Sequence, residues 1–124
     1  MRFPTLAEVL SLHDRLIVEF GGEAGTRHTG AVEAALARME HGPFETGDLA
    51  ERAALLLRGI VEDHPLVDGN KRTGFTVAET FLRSNGWCIP EMDDQVVEFG
   101  LSVARGQLSL DEITEWLRSK MERI

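Results

Sequence analysis

Apolar side chains recur along this chain at intervals of three and four residues, which is the period of an amphipathic helix. The first stripe follows Thr5, which forms a capping-box pattern with Glu8, and it predicts a helix that ends at Gly21 and Gly22. The apolar face of this helix consists of Leu6, Val9, Leu10, His13, Leu16, Ile17 and Phe20. Glycine then continues to recur up to Gly30, so a loop is predicted before the next helix.

The same pattern predicts five further helices. The third helix is expected from about Asp48 to Glu62, the fourth follows a turn at Gly69, and the sixth begins at Ser109, which pairs with Glu112 in a second capping box. The stripes that mark helices two to six are Ala31, Ala35 and Met39; Leu49, Ala53, Leu56, Leu57 and Ile60; Gly74, Val77, Ala78, Phe81 and Leu82; Val96, Phe99, Gly100 and Val103; and Leu110, Ile113, Trp116 and Leu117. Residues 87–90 look extended, but the sequence shows no convincing strand that would pair with them in a sheet. The predicted fold class is therefore all-α.

Two segments between helices carry features of their own. Residues 41–47 place Phe44 between two glycines, which predicts a mobile flap whose aromatic ring either docks a target segment or anchors the loop. The acidic residues Glu91, Asp93 and Asp94 are expected to start the fifth helix, where carboxylates complement the helix dipole.

Composition limits the classes of function that remain. With 124 residues and 43% hydrophobic content, the chain fits one domain spanning residues 1–124. The net charge of −8 disfavours direct binding to nucleic acid, whose phosphates attract basic surfaces. No stretch has the length and apolarity of a membrane span or secretory signal, and Cys88 is the single cysteine, so we expect a cytoplasmic protein that does not bind membranes.

The densest chemistry lies in residues 64–75, which read HPLVDGNKRTGF. A helix begins after the glycine turn, and a helix amino terminus presents unpaired N–H groups and a positive dipole end. The residues expected to form an anion cradle there are Gly69, Asn70, Lys71 and Arg72. Together they indicate a polyphosphate ligand.

Two residues just before the cradle have the chemistry for group transfer. Asp68 would repel phosphates unless a hard cation such as Mg²⁺ lay between them, so we expect it to be a metal ligand. His64 is the candidate general base, because imidazole titrates near neutral pH. A plainer interpretation is a helix entry with a capping aspartate, a solvated Lys–Arg pair and a core histidine.

This loop resembles the signature of the Fic/Doc family, which consists of histidine, proline, usually phenylalanine, two variable residues, Gly-Asn, Gly or Lys, and then Arg. The matching residues are His64, Pro65, Asp68, Gly69, Asn70 and Arg72. Leu12-His13-Asp14, Gly21-Gly22, residues 33–36 and residues 81–86 also look similar to family members. The resemblance implies a compact helical bundle with the active loop before a central helix.

Two positions associate the chain with the Doc branch of that family. Fic-type members transfer AMP from ATP, carry glycine where this chain has Lys71, and have a second arginine where it has Phe75. Doc toxins transfer the terminal phosphate of ATP and inactivate elongation factor Tu. The resemblance therefore implies an ATP-dependent kinase toxin, with His64 deprotonating a target threonine and Asp68 holding Mg²⁺. Gly69, Asn70, Lys71 and Arg72 would bind the ATP phosphates.

Two departures from the family pattern lie close to this loop. Leu66 replaces the usual loop-anchoring phenylalanine, and Glu62 stands where a basic residue is found in a Doc toxin. The first is a mild apolar exchange, whereas the second would weaken phosphate binding if its carboxylate faced the site.

Regulation is expected to come from a separate protein. The spacing of Thr29 and Glu33, followed by Ala34, does not fit the self-inhibitory motif of many Fic proteins. The resemblance instead implies an antitoxin whose disordered segment folds on binding. Fic-type AMP transfer, and a catalytically silent binding module or corepressor, remain as alternative functions.

Three residues outside the loop have no assigned role at this point. His13 is expected to be a core histidine, while Arg27 and His28 lie in a glycine-flanked loop, where they either approach the ligand or are merely solvated.

Overall fold

The structure is a computed structural model that describes residues 1–90, 98–100, 102, 103 and 105–124. Its regular elements, in chain order, are α1 (Leu6–Phe20), α2 (Thr29–His41), α3 (Leu49–Asp63), α4 (Asn70–Ser84), β1 (Trp87–Cys88), a helical segment α5 at residues 98–100 and 102–103, α6 (Leu110–Lys120) and β2 (Glu122–Arg123). This arrangement confirms the predicted helical fold. Within the described ranges, no helix has both the length and the apolarity that crossing a membrane requires.

The predicted helix starts agree with the capping residues that the structure uses. Thr5 and Ser109 each accept the backbone N–H three residues later, and Glu8 and Glu112 complete the two capping boxes. Asp48 accepts the N–H of Glu51 and caps α3. These local bonds satisfy N–H groups that a helix would otherwise leave unpaired, so they fix where each helix begins.

Helix α3 is the centre of the fold, and it packs against α2, α4 and α6. Its buried residues face all three neighbours, and they are Ala50, Glu51, Ala53, Ala54, Leu55, Leu56, Leu57, Gly59, Ile60 and Val61. A Cβ added at Gly59 would lie 2.6 Å from the Cβ of Ala35, so the two helix backbones meet closely at that point. Burial on nearly every side holds α3 in place, and the active loop follows directly from its carboxyl end.

The region after α4 is only partly described. Phe99, Gly100 and Val103 are helical and buried, as predicted. The Phe99 ring stacks on Trp116 at a distance of 3.8 Å between the ring centroids. Val96 and the acidic residues Glu91, Asp93 and Asp94 lie outside the described residues.

A two-stranded sheet joins the end of the chain to the end of α4. Trp87 pairs with Arg123 and half-buried Cys88 with Glu122 in antiparallel register. The extended character of residues 87–90 was predicted, but the strand pairing was not, because the two partners are far apart in sequence. Both chain termini lie near this point, since the Arg2 N–H donates to Asn85 and the Ile124 N–H donates to the Gly86 carbonyl.

The segment predicted to be a mobile flap is anchored to the first turn of α3. The Glu51 carboxylate accepts the backbone N–H groups of Glu45, Thr46 and Gly47, each at 2.8 Å. The Arg52 guanidinium lies 4.2 Å from the centroid of the Phe44 ring and donates to three backbone carbonyls. The flap prediction is therefore wrong, and Phe44 serves as a loop anchor.

These contacts also determine the ionisation of Glu51. Burial by itself would raise the pKa of this carboxyl, but the backbone N–H donors outweigh burial and lower the pKa from 4.5 to about 2. The folded-state pKa therefore lies below the unfolded one. Stability from ionised Glu51 is fully present above about pH 4.5 and is lost as the pH falls toward 2.

We expect Glu51→Gln to lower the free energy of unfolding at pH 7 by about 1 to 3 kcal/mol, because an amide cannot satisfy these buried donors as a carboxylate does. Urea denaturation between pH 7 and 3 checks this. The difference between the unmodified protein and the variant should shrink as the pH falls. Glu33→Gln, at an exposed position of α2, is the matched control and should change little. A pH-independent difference would contradict the assigned role of the charge.

Candidate functional site

The six residues predicted to form the site all line one cavity. It has a volume of about 350 Å³ and lies where the loop after α3 enters α4. Its lining consists of His64, Val67, Asp68, Gly69, Asn70, Lys71 and Arg72. A contiguous stretch of sequence thus forms an open cleft that combines one imidazole, one carboxylate and two cations.

His64 terminates α3 in an uncommon backbone conformation. Its φ of 47° and ψ of 52° lie in the left-handed region, which non-glycine residues seldom adopt. The following Pro65 disfavours continuation of the helix. The chain therefore turns sharply at His64, and the imidazole is exposed at the edge of the cavity.

The loop between α1 and α2 holds the backbone of the active loop from one side. The Pro65 carbonyl accepts the N–H groups of Arg27 and His28, and the Val67 N–H donates to the Gly25 carbonyl. Thr26 and Leu66 form an antiparallel bridge within this pairing. The segment beside the active loop is therefore residues 21–28, whereas residues 41–47 lie at the opposite end of α3.

Arg27 and His28 accordingly lie next to the active loop through their backbones. Both side chains are exposed, and neither lines the cavity.

Asp68 is held by contacts with α1 and with the loop that follows it. Its backbone carbonyl lies 2.8 Å from Nε2 of His13, a residue that is only 1% exposed. Its Oδ2 accepts the Glu23 N–H at 3.2 Å, and a Cβ at Gly22 would lie 2.7 Å from the same oxygen. His13 is buried as predicted, but it also fixes the position of the carboxylate-bearing residue.

Asn70 shapes the loop from inside. Its Oδ1 accepts the Leu66 N–H and its Nδ2 donates to the Leu66 carbonyl, both at 3.0 Å. The side chain was predicted to orient a phosphate. It uses its carbonyl oxygen and one amide hydrogen on the loop, so its second amide hydrogen and its backbone N–H remain as donors.

The amino end of α4 presents the cations. Gly69 caps the helix with φ 74°, and Lys71 and Arg72 follow on exposed positions of the first turn. Neither side chain has a hydrogen bond or an ion pair with another described residue. Their charges are therefore available to an anion at the helix end, where the dipole also favours negative charge.

The two departures noted in the sequence do not disturb this cavity. Leu66 is fully buried, so it anchors the loop as the larger ring would. Glu62 forms an i,i+4 ion pair with Arg58 at 3.5 Å and does not line the cavity. Phe75 packs against Phe99 in the core, which leaves Arg72 as the cavity's single arginine among the described residues.

Three residues of α1 support the site in ways that the sequence did not reveal. These residues, His13, Ile17 and Phe20, recur at helical spacing. His13 bonds to the Asp68 carbonyl, and Ile17 lies close to Gly69. The ring of Phe20 contacts the Arg72 guanidinium. The apolar stripe indicated that this face would be buried. It carried no signal that the buried partner would be the active loop.

No group of three or more histidine, cysteine or acidic side chains in the described parts of the chain could by itself hold a metal ion. Asp68 offers one carboxylate at the cavity wall, and both of its oxygens keep lone pairs beyond their backbone contacts. A single carboxylate combined with substrate phosphates is a common way to hold Mg²⁺ in proteins. The residues present would therefore fit a magnesium ion that is also coordinated by the phosphates of a substrate.

Comparison with known proteins finds similarity to two proteins whose names contain Doc. The chain is 33% identical over 123 residues to a protein named "Protein kinase doc" from Escherichia phage P1, a match that covers 95% of this chain and 94% of that protein. It is 43% identical over 72 residues to "Toxin Doc" from Mycolicibacterium smegmatis, where the match covers 56% of this chain and only 55% of that protein.

A model described as the Fic/DOC family matches residues 3–82, which include α1, the paired loops and the whole cavity lining. This range covers well over half of the 124 residues. The chain therefore belongs to the Fic/DOC family.

Proposed function

We propose that this protein is the toxin of a toxin–antitoxin pair and an ATP-dependent protein kinase. Its target would be a threonine hydroxyl of elongation factor Tu, so that phosphorylation blocks protein synthesis. The observation that carries the proposal is the cavity in which His64 and Asp68 meet Lys71 and Arg72 at the amino end of α4. This set contains the base, the carboxylate and the cations that phosphoryl transfer uses.

In this proposal His64 accepts the proton of the target hydroxyl. The hydroxyl oxygen then forms a bond to the γ-phosphorus of ATP while the bond from that phosphorus to the β–γ bridging oxygen breaks, and ADP leaves. The imidazole is exposed at the cavity edge, where a protein hydroxyl can reach it. Because the chemistry needs little covalent help, positioning and charge supply most of the rate.

Lys71, Arg72 and the N–H groups that follow Gly69 would hold the ATP phosphates. Arg72 offers a planar fork of donors and Lys71 a compact point charge, and both are free of carboxylate partners in the described residues. Asp68 would hold Mg²⁺, which neutralises phosphate charge when bound. Two hydrogen bonds keep Asp68 in place: His13 bonds to its backbone carbonyl, and the Glu23 N–H donates to its carboxylate.

The similarity to a protein named a kinase supports phosphate transfer over AMP transfer, because that match spans nearly the whole of both chains. Lys71 supports the same choice, since its side chain lines the cavity where AMP-transferring relatives carry glycine. A protein partner with a disordered inhibitory segment would restrain the toxin, consistent with similarity to a protein named as a toxin. Such a toxin would act in the cytoplasm, where its target is found.

Intact-mass spectrometry of purified elongation factor Tu, incubated with this protein, ATP and Mg²⁺, tests the proposal. We expect the target to gain about 80 Da, the mass of one phosphoryl group that replaces a proton. The His64→Ala variant should give no gain. A gain of about 329 Da would identify AMP transfer instead. An unchanged mass would exclude elongation factor Tu as the target and would favour a silent binding module if ATP also fails to bind.

Replacement of Lys71 with glycine tests which residue selects the transferred group. We expect Lys71→Gly to reduce phosphate transfer and to permit AMP transfer, because the loop then resembles that of the AMP-transferring relatives. The same mass measurement reports both products. Lys71→Ala is the matched control, since it removes the charge without adding glycine's backbone freedom. Full phosphate transfer and no AMP transfer by Lys71→Gly would contradict the assignment.

His13 provides a test of loop positioning. We expect His13→Leu to lower kcat/KM for phosphate transfer by about tenfold, since the Asp68 carbonyl loses its partner and a displacement of the loop is costly for catalysis. His13→Gln, which restores a donor, should recover part of the loss. His41→Leu replaces an exposed histidine and serves as control. Steady-state kinetics at matched thermal stability makes the comparison, and equal activity of His13→Leu and unmodified protein would refute the role.

A further inference from the structure

Phe20 is the last residue of α1, and its environment differs from that predicted. It continues the apolar stripe of this helix, yet it is 56% exposed. Its ring lies 4.3 Å from the Cζ atom of Arg72, a distance typical of a cation–π contact. An apolar ring left half in solvent thus covers the guanidinium that lines the cavity.

The kind of contact matters for what Arg72 can bind. A guanidinium donates hydrogen bonds in its own plane, whereas an aromatic ring contacts its flat face. Arg72 forms no hydrogen bond or ion pair with another described residue, and its contact with the Phe20 ring gives none of its N–H donors to an oxygen acceptor. By contrast, Arg58, Arg83 and Arg118 each pair with a carboxylate, which would compete with a phosphate for the same donors.

Phe20 lies on the same face of α1 as two residues that contact the loop. His13 of the same helix is bonded to the Asp68 carbonyl, and Ile17 lies 3.5 Å from the point where a Cβ on Gly69 would be. One face of α1 therefore contacts both the backbone of the loop, through His13 and Ile17, and the side chain of Arg72, through Phe20. Phe20 does not itself line the cavity, so it contacts Arg72 from outside the ligand space.

We infer that Phe20 is a positioning residue that holds the Arg72 guanidinium over its ring, so that the N–H donors of Arg72 can meet the phosphates of a nucleotide. This inference rests on the proposed function for the identity of the anion. The contact between Phe20 and Arg72 can itself be observed in the protein without a ligand.

The test measures ATP binding in the presence of Mg²⁺ by calorimetry. We expect Phe20→Leu, which keeps an apolar side chain but loses the ring, to weaken ATP binding by roughly two- to fivefold, the range of an exposed cation–π contact. Phe20→Trp should bind at least as tightly as the unmodified protein. Val18→Ala removes apolar surface from an 87% exposed position of the same helix and should bind ATP normally.

A double-mutant cycle separates positioning from a general structural role. In an Arg72→Ala background, Phe20→Leu should no longer change ATP binding, because the residue it acts through is gone. A loss that persists in that background, or unmodified binding by Phe20→Leu alone, overturns the inference.

NMR of the ligand-free protein separates failure of this inference from failure of the proposed function. The Arg72 Hε signal should be shifted upfield by the ring and should lose that shift in Phe20→Leu. If the shift is present but the unmodified protein binds no ATP, the proposed function is overturned and the positioning role with it. If ATP binds and the shift is absent, the inference alone is overturned.

Discussion

The backbone of residues 65–68 is hydrogen-bonded from three directions, and the arrangement of the cavity depends on this. Residues 25–28 bond to Pro65 and Val67, Asn70 bonds to Leu66 from inside the turn, and His13 bonds to the Asp68 carbonyl from α1. An irregular segment cannot satisfy its own polar groups as a helix does, so these external partners are what give it one conformation. These bonds place His64 at one end of the loop and Lys71 and Arg72 at the other.

Helix α3 supports one end of that loop. Its amino end is fixed by Glu51 and Arg52 bonding to the preceding segment, and its middle is buried against three other helices. His64 follows directly at the carboxyl end, so the imidazole that is proposed as the base extends from a helix that is buried against three others. A base that must meet a hydroxyl within hydrogen-bond distance benefits from such a support, because small displacements are costly in rate.

The parts of this structure that sequence patterns predicted are those in which the cause is local. Capping at Thr5, Asp48 and Ser109 lies within three residues of its partners, and the active loop is a contiguous motif, so both could be located from the sequence. The anchoring of residues 45–47 by Glu51 was missed, although the glutamate is close in sequence, because an acidic residue in a first helical turn normally suggests capping alone.

Long-range pairing explains most of the other differences. Nothing in the order of residues indicates that the segment beside the active loop is 21–28, that His13 bonds to a residue 55 positions away, or that Phe20 faces an arginine rather than the core. Those contacts depend on how α1 crosses the amino end of α4. Periodicity predicts which face of a helix is covered, but it does not identify what covers it.

The meeting of the two chain ends beside Asn85 and Gly86 has a practical consequence for this molecule. These residues lie at the carboxyl end of α4, and a helix of 15 residues is about 22 Å long, so both termini are far from the cations at its other end. A fluorophore or surface tether attached beside Asn85 would therefore lie far from the cleft that Lys71 and Arg72 line.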